Sequence, residues 1–328
     1  MIDRGQWAYV SGLVSAFQDR LLDRRALLAL RRPADAAELQ TRLRQSLLFS
    51  DGGIGPQPAE QVTERFEAFV RQICDASPDG RIGDFFLLSR EWQIYRDIAK
   101  RAVLTDARGI GVASDIPTEE EMRFLPLFRR DKSALGDDPF SAATRHILSN
   151  LPQGEDRLGR LDLMVDAFEA AALRRSVAAL GSDELSEWIG QWIRLKAAQT
   201  ILRCRRHEWD CASFGEDWRA AGFDDVPLDG LLRGTTTDDV YLLSQLGLRD
   251  ADSLLNEPDF VVAMTRRVDD LLTRRLSEAS GIPFGPERVF AFLWNLRNEA
   301  VNLKLILAGA VYDIPDERIE HELRAAHV

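Results

Sequence analysis

Three residues have the types and spacing for metal chemistry: Cys204, His207 and Cys211, a C-x2-H-x3-C run within "CRRHEWDC". Two thiolates and an imidazole would make most of a zinc site, but a closed tetrahedral site needs a fourth ligand, and none is evident. Reduced cysteines beside a surface histidine are the simpler reading. His321 follows Glu317 by four residues and reads as an exposed pair on a helix. The acid-rich stretches "PTEEEM" (117–122) and "TTTDDV" (235–240) read as helix starts before they read as cation sites. Trp188, Trp192, Trp209 and Trp218 would need exposure to stack a sugar or a base; the i, i+4 spacing of Trp188 and Trp192 fits core packing instead. The chain carries no GxxxxGK[ST] loop, no GxGxxG after a strand, no GxSxG elbow and no HExxH. It is therefore not expected to hydrolyse ATP itself, to be an enzyme, or to hold a cofactor or a metal.

A different polar pattern sits in "NEAVNLKLILAG" (298–309). On a helical wheel of 286–309, Val289, Phe292, Leu293, Leu296, Ala300, Leu303 and Leu307 share one arc about 100° wide. Phe290, Trp294, Val301 and Leu305 form a second apolar stripe. Asn295, Glu299 and Asn302 lie between the two at i, i+4 and i+7. A helix with two apolar stripes is packed from two sides, so its polar stripe is expected to be partly buried and to need hydrogen-bond partners. The structural reading has Glu299 and Asn302 bonding to a neighbouring helix end or to each other.

The elements that must position these residues are helices. Strand-like alternation is almost absent, and Leu, Ala, Arg and Glu dominate. Helices are predicted over 7–30, 34–48, 58–76, 84–104, 118–130, 138–150, 158–180, 183–208, 236–247, 258–279, 286–309 and 315–326. Ser182 or Asp183 suits the start of the 183–208 helix. Pro286 suits the first turn of its helix and Gly309 the position just past its end. The 328 residues are 45% hydrophobic, enough for a substantial core. A formal charge of -11 argues against nucleic acid or an anionic lipid surface as the main partner. Three cysteines suggest a reducing compartment. The N-terminus does not read as a signal peptide, and no run reaches the roughly 18 apolar residues of a membrane helix.

Three long segments look related: "SREWQIYRDIAKRA" (89–102), "WIRLKAAQTILRCRR" (192–206) and "NLRNEAVNLKLILAG" (295–309). Aligned on Glu91, Leu195 and Glu299, they lie 104 residues apart in both intervals. The spacing suggests three helical repeats with approximate bounds 1–106, 107–210 and 211–328, the first helix being free to pack with another lobe.

"FAFLWNLRNEAVNLKLILAGAVYDIPDERIEHEL" (290–323) resembles the C-terminal signature of the C-type subunits of V/A-type rotary ATPases, the d-type subunits of eukaryotes. Glu299, Asn302, Lys304 and Gly309 match that signature, while Ala310 stands where the family usually has Lys. Tyr9, Leu21 and Leu22 fit the family's first helix. Glu91 and Arg96 fit the first repeat, where Ile94 replaces Asn. Arg203 fits the second, where Leu195 and Ala198 replace the acid and the Asn. The resemblance implies an all-α fold of three lobes in a pseudo-threefold funnel with a central cavity. It implies a non-catalytic rotor subunit, peripheral on the cytoplasmic side of the membrane. Such a subunit is a socket that couples the central stalk to the proteolipid ring in ATP-linked proton or sodium transport. Its partners would be that ring and the stalk subunits, with no nucleic acid and no small-molecule substrate. The motif residues would be structural. Two other readings stay open at this point. An unrelated helical repeat scaffold or adaptor would be a stacked solenoid. A helical enzyme would show a closed pocket of convergent carboxylates.

Overall fold

The structure is a computed structural model. It describes residues 4–325 apart from 32, 34, 51, 54, 56, 57, 109–118, 129–134, 153–155, 210–212, 224–235 and 280. Among the described residues every regular element is helical. In chain order these are α1 (Ala8–Gln18), α2 (Arg24–Ala29), α3 (Ala36–Leu43), α4 (Pro58–Ala76), α5 (Asp84–Arg108), α6 (Glu119–Phe128), α7 (Pro139–Asn150) and α8 (Arg157–Ala178). They continue as α9 (Asp183–Arg206), α10 (Phe214–Ala220), α11 (Thr236–Gln245), α12 (Ala251–Leu255), α13 (Phe260–Ala279), α14 (Pro286–Tyr312) and α15 (Asp316–Glu322). Short 3-10 turns occupy Arg4–Trp7, Leu47–Phe49 and Gly80–Gly83.

The all-helical expectation holds, and four local expectations are corrected. The single helix expected over 7–30 breaks after Gln18 because the chain finds better partners for two backbone groups. Asp23 turns extended and its carboxylate accepts from the Ala26 N–H at 2.7 Å, capping α2. The Leu22 N–H, which a continuous helix would bond to residue 18, goes instead to Glu299. The helix expected over 34–48 stops at Leu43, and Ser46 caps the following 3-10 turn. Gly309 does not end its helix, which runs on to Tyr312 and is capped by Asp313 in the left-handed region (φ 51°). Two short helices, α10 and α12, escaped the periodicity reading because fewer than eight residues make no amphipathic pattern.

The chain divides into two compact units. The first is assembled from Met1–Phe86, Val177–Trp192 and Gly247–Val328. Its centre is α14, which packs against α1, α4 and α13. The two apolar stripes read from the sequence have separate partners. Phe292 faces Phe17 of α1 and Phe69 of α4, with ring centroids 6.4 and 6.0 Å away. Phe290 and Trp294 face Phe85 in the first turn of α5 and Trp188 in the second turn of α9. Edge-to-face contacts of this kind add to the burial of large rings. The second stripe loosens toward the end of α14, where Val301 and Leu305 are only half-buried.

The second unit comprises Leu87–Ser176 and Ile193–Leu246. Its core gathers Trp92, Tyr95, Phe124, Phe140, Met164 and Phe168 from α5 to α8. The Trp92 and Phe140 rings pack at a tilt with centroids 4.5 Å apart, and the buried Tyr95 hydroxyl meets Thr144 Oγ1 at 2.9 Å. Asp138 starts α7 by accepting from the N–H groups of Phe140 and Ser141, with Pro139 at the first helical position. Burial opposes the Asp138 charge, but the Ser141 and Phe140 hydrogen bonds prevail and hold its carboxyl below the usual range.

Candidate functional site

The motif residues of α14 are set by helical geometry before anything else: Glu299 and Asn302 are three apart and share a face. Both are buried, Glu299 at 4% exposure and Asn302 at 0%. Glu299 Oε2 accepts the Leu22 N–H at 2.6 Å, and Oε1 accepts the Ser46 hydroxyl at 2.6 Å. The Leu22 donor precedes α2 and Ser46 follows α3, so one carboxyl secures two breaks in the early chain. Burial pushes the Glu299 pKa up to about 7; the Ser46 and Leu22 hydrogen bonds pull the other way and recover only part of the desolvation cost.

Asn302 uses both ends of its amide on one residue. Its Oδ1 accepts the Arg324 N–H at 2.8 Å, and its Nδ2 donates to the Arg324 carbonyl at 3.2 Å. This satisfies an extended backbone as a strand partner would. Gly309 sits under α15: a Cβ there would strike the Ile319 side chain, so the glycine permits a close approach. Lys304 lies half-buried on the same helix. Asn298, next to Glu299, donates to Thr273 Oγ1 of α13 at 2.9 Å, and Trp294 Nε1 donates to the same hydroxyl.

The remaining motif positions fall in the second unit. Glu91 is partly exposed and pairs with the exposed Arg123 at 2.9 Å. Leu195 is fully buried. The three residues aligned by the 104-residue spacing thus have three different surroundings: an ion pair at the surface, an apolar core and a buried hydrogen-bonded carboxyl.

Arg96 and Arg203, read as separate copies of a motif, are brought together on one carboxylate. Arg96 Nη2 donates to Asp166 Oδ1 at 2.7 Å, and Arg203 Nη2 to Asp166 Oδ2 at 2.9 Å. Thr200 adds a hydroxyl at 2.9 Å, and Lys196 lies 3.6 Å away. Arg96 also reaches Asp162 and Glu169. Burial disfavours the Asp166 charge, but Lys196, Arg96 and Arg203 outweigh it and hold the carboxyl far below its usual range. The sequence reading missed Asp166, although a signal was present. Asp162, Asp166 and Glu169 stand at i, i+4 and i+7 on an apolar helix, the spacing of Asn295, Glu299 and Asn302.

Cys204 is disulfide-bonded, contrary to the reduced state that the cysteine count suggested, so it offers no thiolate ligand. An odd number of cysteines leaves at least one thiol over, and Cys74 is free. His207 stacks on Trp209 with centroids 4.8 Å apart, and Cys211 lies outside the described residues. No group of three metal-ligating side chains occurs among the described residues.

Comparison with known families decides what this helical framework is. A family model described as ATP synthase (C/AC39) subunit matches residues 132–322, more than half of the chain. The chain belongs to the ATP synthase (C/AC39) subunit family. No curated protein matches it. The C/AC39 family comprises the C-type and d-type subunits of V/A-type ATPases. Arg203, Glu299, Asn302, Lys304 and Gly309 fall inside the segment matched to it, and Glu91 and Arg96 precede that segment. No described helix of this C/AC39 chain is long and apolar enough to cross a membrane.

Proposed function

We propose that the chain is a non-catalytic rotor subunit of a V/A-type ATPase, a socket between the central stalk and the proteolipid ring on the cytoplasmic side of the membrane. The family match over residues 132–322 carries this reading. In this reading the body has three lobes of about 104 residues around a pseudo-threefold axis, with a central cavity for the stalk. The subunit transmits torque and performs no bond chemistry. Torque transmission needs stiff elements, and two features supply stiffness. One is α14, a 27-residue helix packed on two apolar faces. The other is the carboxylate hub at Asp166, which ties α5, α8 and α9 by charge-assisted hydrogen bonds. The motif residues then act by holding the body together. Glu299, Asn302 and Gly309 serve the first unit, and Arg96 and Arg203 the second.

The test is isolation of the native complex from source membranes with a tag on this chain. Co-recovery of a proteolipid ring and of stalk subunits is the expected outcome. Recovery of the chain alone, from membranes whose ATPase is intact, would overturn the reading.

A further inference from the structure

The segment 313–325 is attached to the first unit differently from the rest of it. Its helix α15 has seven residues, too few to be stable alone. Only Ile319 and Leu323 are buried apolar anchors. The remaining attachments are polar. Arg324 is held through its backbone by Asn302, and the Ala325 N–H donates to Asp270 Oδ1 at 2.6 Å. Arg31 bridges Asp316 at 3.3 Å and Glu320 at 3.0 Å, Arg318 meets Asp259 at 2.9 Å, and Arg324 meets Asp269 at 3.3 Å. The segment begins at Asp313, in the left-handed region, just after the exposed Val311 and Tyr312. Between it and α14 lies a groove of about 450 Å³ walled by Leu305, Tyr312, Ile314, Pro315 and Ile319, with Val262 of α13 at its side.

We propose that residues 313–325 form a strap, hinged at Asp313, that opens as a unit while α14 stays folded. Asn302 and Gly309 are its seat: one binds the strap's far end through the Arg324 backbone, and the other lets Ile319 lie against α14. Opening uncovers the α14 wall around Leu305 and Gly309 and joins it to the groove, whose lining also includes Asp313, Arg318 and Glu322. The exposed Arg318–Asp259 pair and the Arg31–Glu320 pair weaken with salt, the mostly buried Arg31–Asp316 and Arg324–Asp269 pairs weaken less, and the aromatic packing of α14 does not respond. The strap is therefore a salt-sensitive device, and its opening is separable from global unfolding. The inference stands whether or not the chain couples a stalk to a ring.

Hydrogen exchange read by mass spectrometry on the full chain tests this. At about 50 mM NaCl, amides in 314–325 should be protected but less so than those of Ala300–Ile306. At about 1 M NaCl, exchange in 314–325 should accelerate roughly tenfold with the Ala300–Ile306 rates unchanged. Asn302→Ala should produce a similar acceleration at low salt. If that variant does not fold, the salt titration of the unaltered chain decides alone. Exchange of 314–325 in step with α14 at both salt concentrations overturns the proposal. So does exchange that is already unprotected at low salt, or that responds to neither salt nor Asn302→Ala.

Discussion

Glu299 is a carboxyl whose surroundings favour the proton. It accepts two hydrogen bonds, and burial raises its pKa from about 4.5 to about 7. A group whose folded-state pKa is raised contributes stability that is complete below its unfolded value and is lost as pH rises through the folded value. Over that window the unfolded chain ionises while the native carboxyl stays protonated, which costs about 3 kcal/mol of stability. Glu299→Gln keeps an acceptor for the Leu22 N–H and cannot ionise. The stability of the unaltered chain, measured by denaturant unfolding against Glu299→Gln, should therefore decline between about pH 4.5 and pH 7 and level off above. A difference that does not vary with pH would show that Glu299 is ionised throughout. The buried state of this residue was legible in the sequence, because it stands between two apolar stripes. Its partners were not: Leu22 and Ser46 are 277 and 253 residues away, and no local pattern encodes that pairing.

At the scale of elements, helix existence was easier to read than helix ends. The expected 84–104, 138–150, 158–180 and 183–208 helices correspond to α5, α7, α8 and α9 with small shifts at the ends. The failures share a cause. At Asp23 and Ser46 a short polar side chain offers the backbone a local alternative to the helix, and a distant carboxyl then rewards the break. Gly309 failed in the opposite sense. Its glycine signal came from the close approach of Ile319, not from a helix end. Gly309→Val should push Ile319 off α14 and loosen segment 313–325 without unfolding α5–α8, which near-ultraviolet circular dichroism and limited proteolysis together would resolve. The Asp166 hub makes a sharper forecast. Removing one partner of a buried ion cluster leaves charges uncompensated, so Asp166→Ala should cost about 3–5 kcal/mol, read by denaturant unfolding. Asp97→Ala, on an exposed face of α5 next to Arg96, should cost less than about 0.5 kcal/mol. Equal costs for the two would remove the hub from the stiffness argument.

For the whole molecule, composition and patterning pointed to an all-helical chain, and the structure agrees. Two compact units are visible, each with its own aromatic core. The three-repeat arrangement is a proposal about a longer range of order. It predicts that, in a structure of the intact complex, residues 91, 195 and 299 occupy corresponding places around the stalk. A solenoid arrangement, or one copy lying far from the axis, would contradict it. The sequence carried the family through its C-terminal segment, where Glu299, Asn302, Lys304 and Gly309 stand together. The two segments aligned with it share less: Ile94, Leu195 and Ala198 stand where the last segment has polar residues, and in the second unit the buried carboxylate is Asp166, outside the alignment.

The composition of the first unit from three distant stretches of chain has a consequence for synthesis. Residues 8–86 include Leu22 and Ser46, whose carboxyl partner is Glu299. At translation rates of about 5–20 residues per second, the ribosome needs roughly ten to forty seconds to travel from residue 86 to residue 299. For that interval the nascent early helices expose Val10, Leu27, Leu43 and Phe49, all buried in the finished fold, to whatever is nearby. The unit cannot fold vectorially from its first residue. A chain stalled before α14 should bind a ribosome-associated holdase and aggregate on release, whereas one stalled after residue 325 should be released folded.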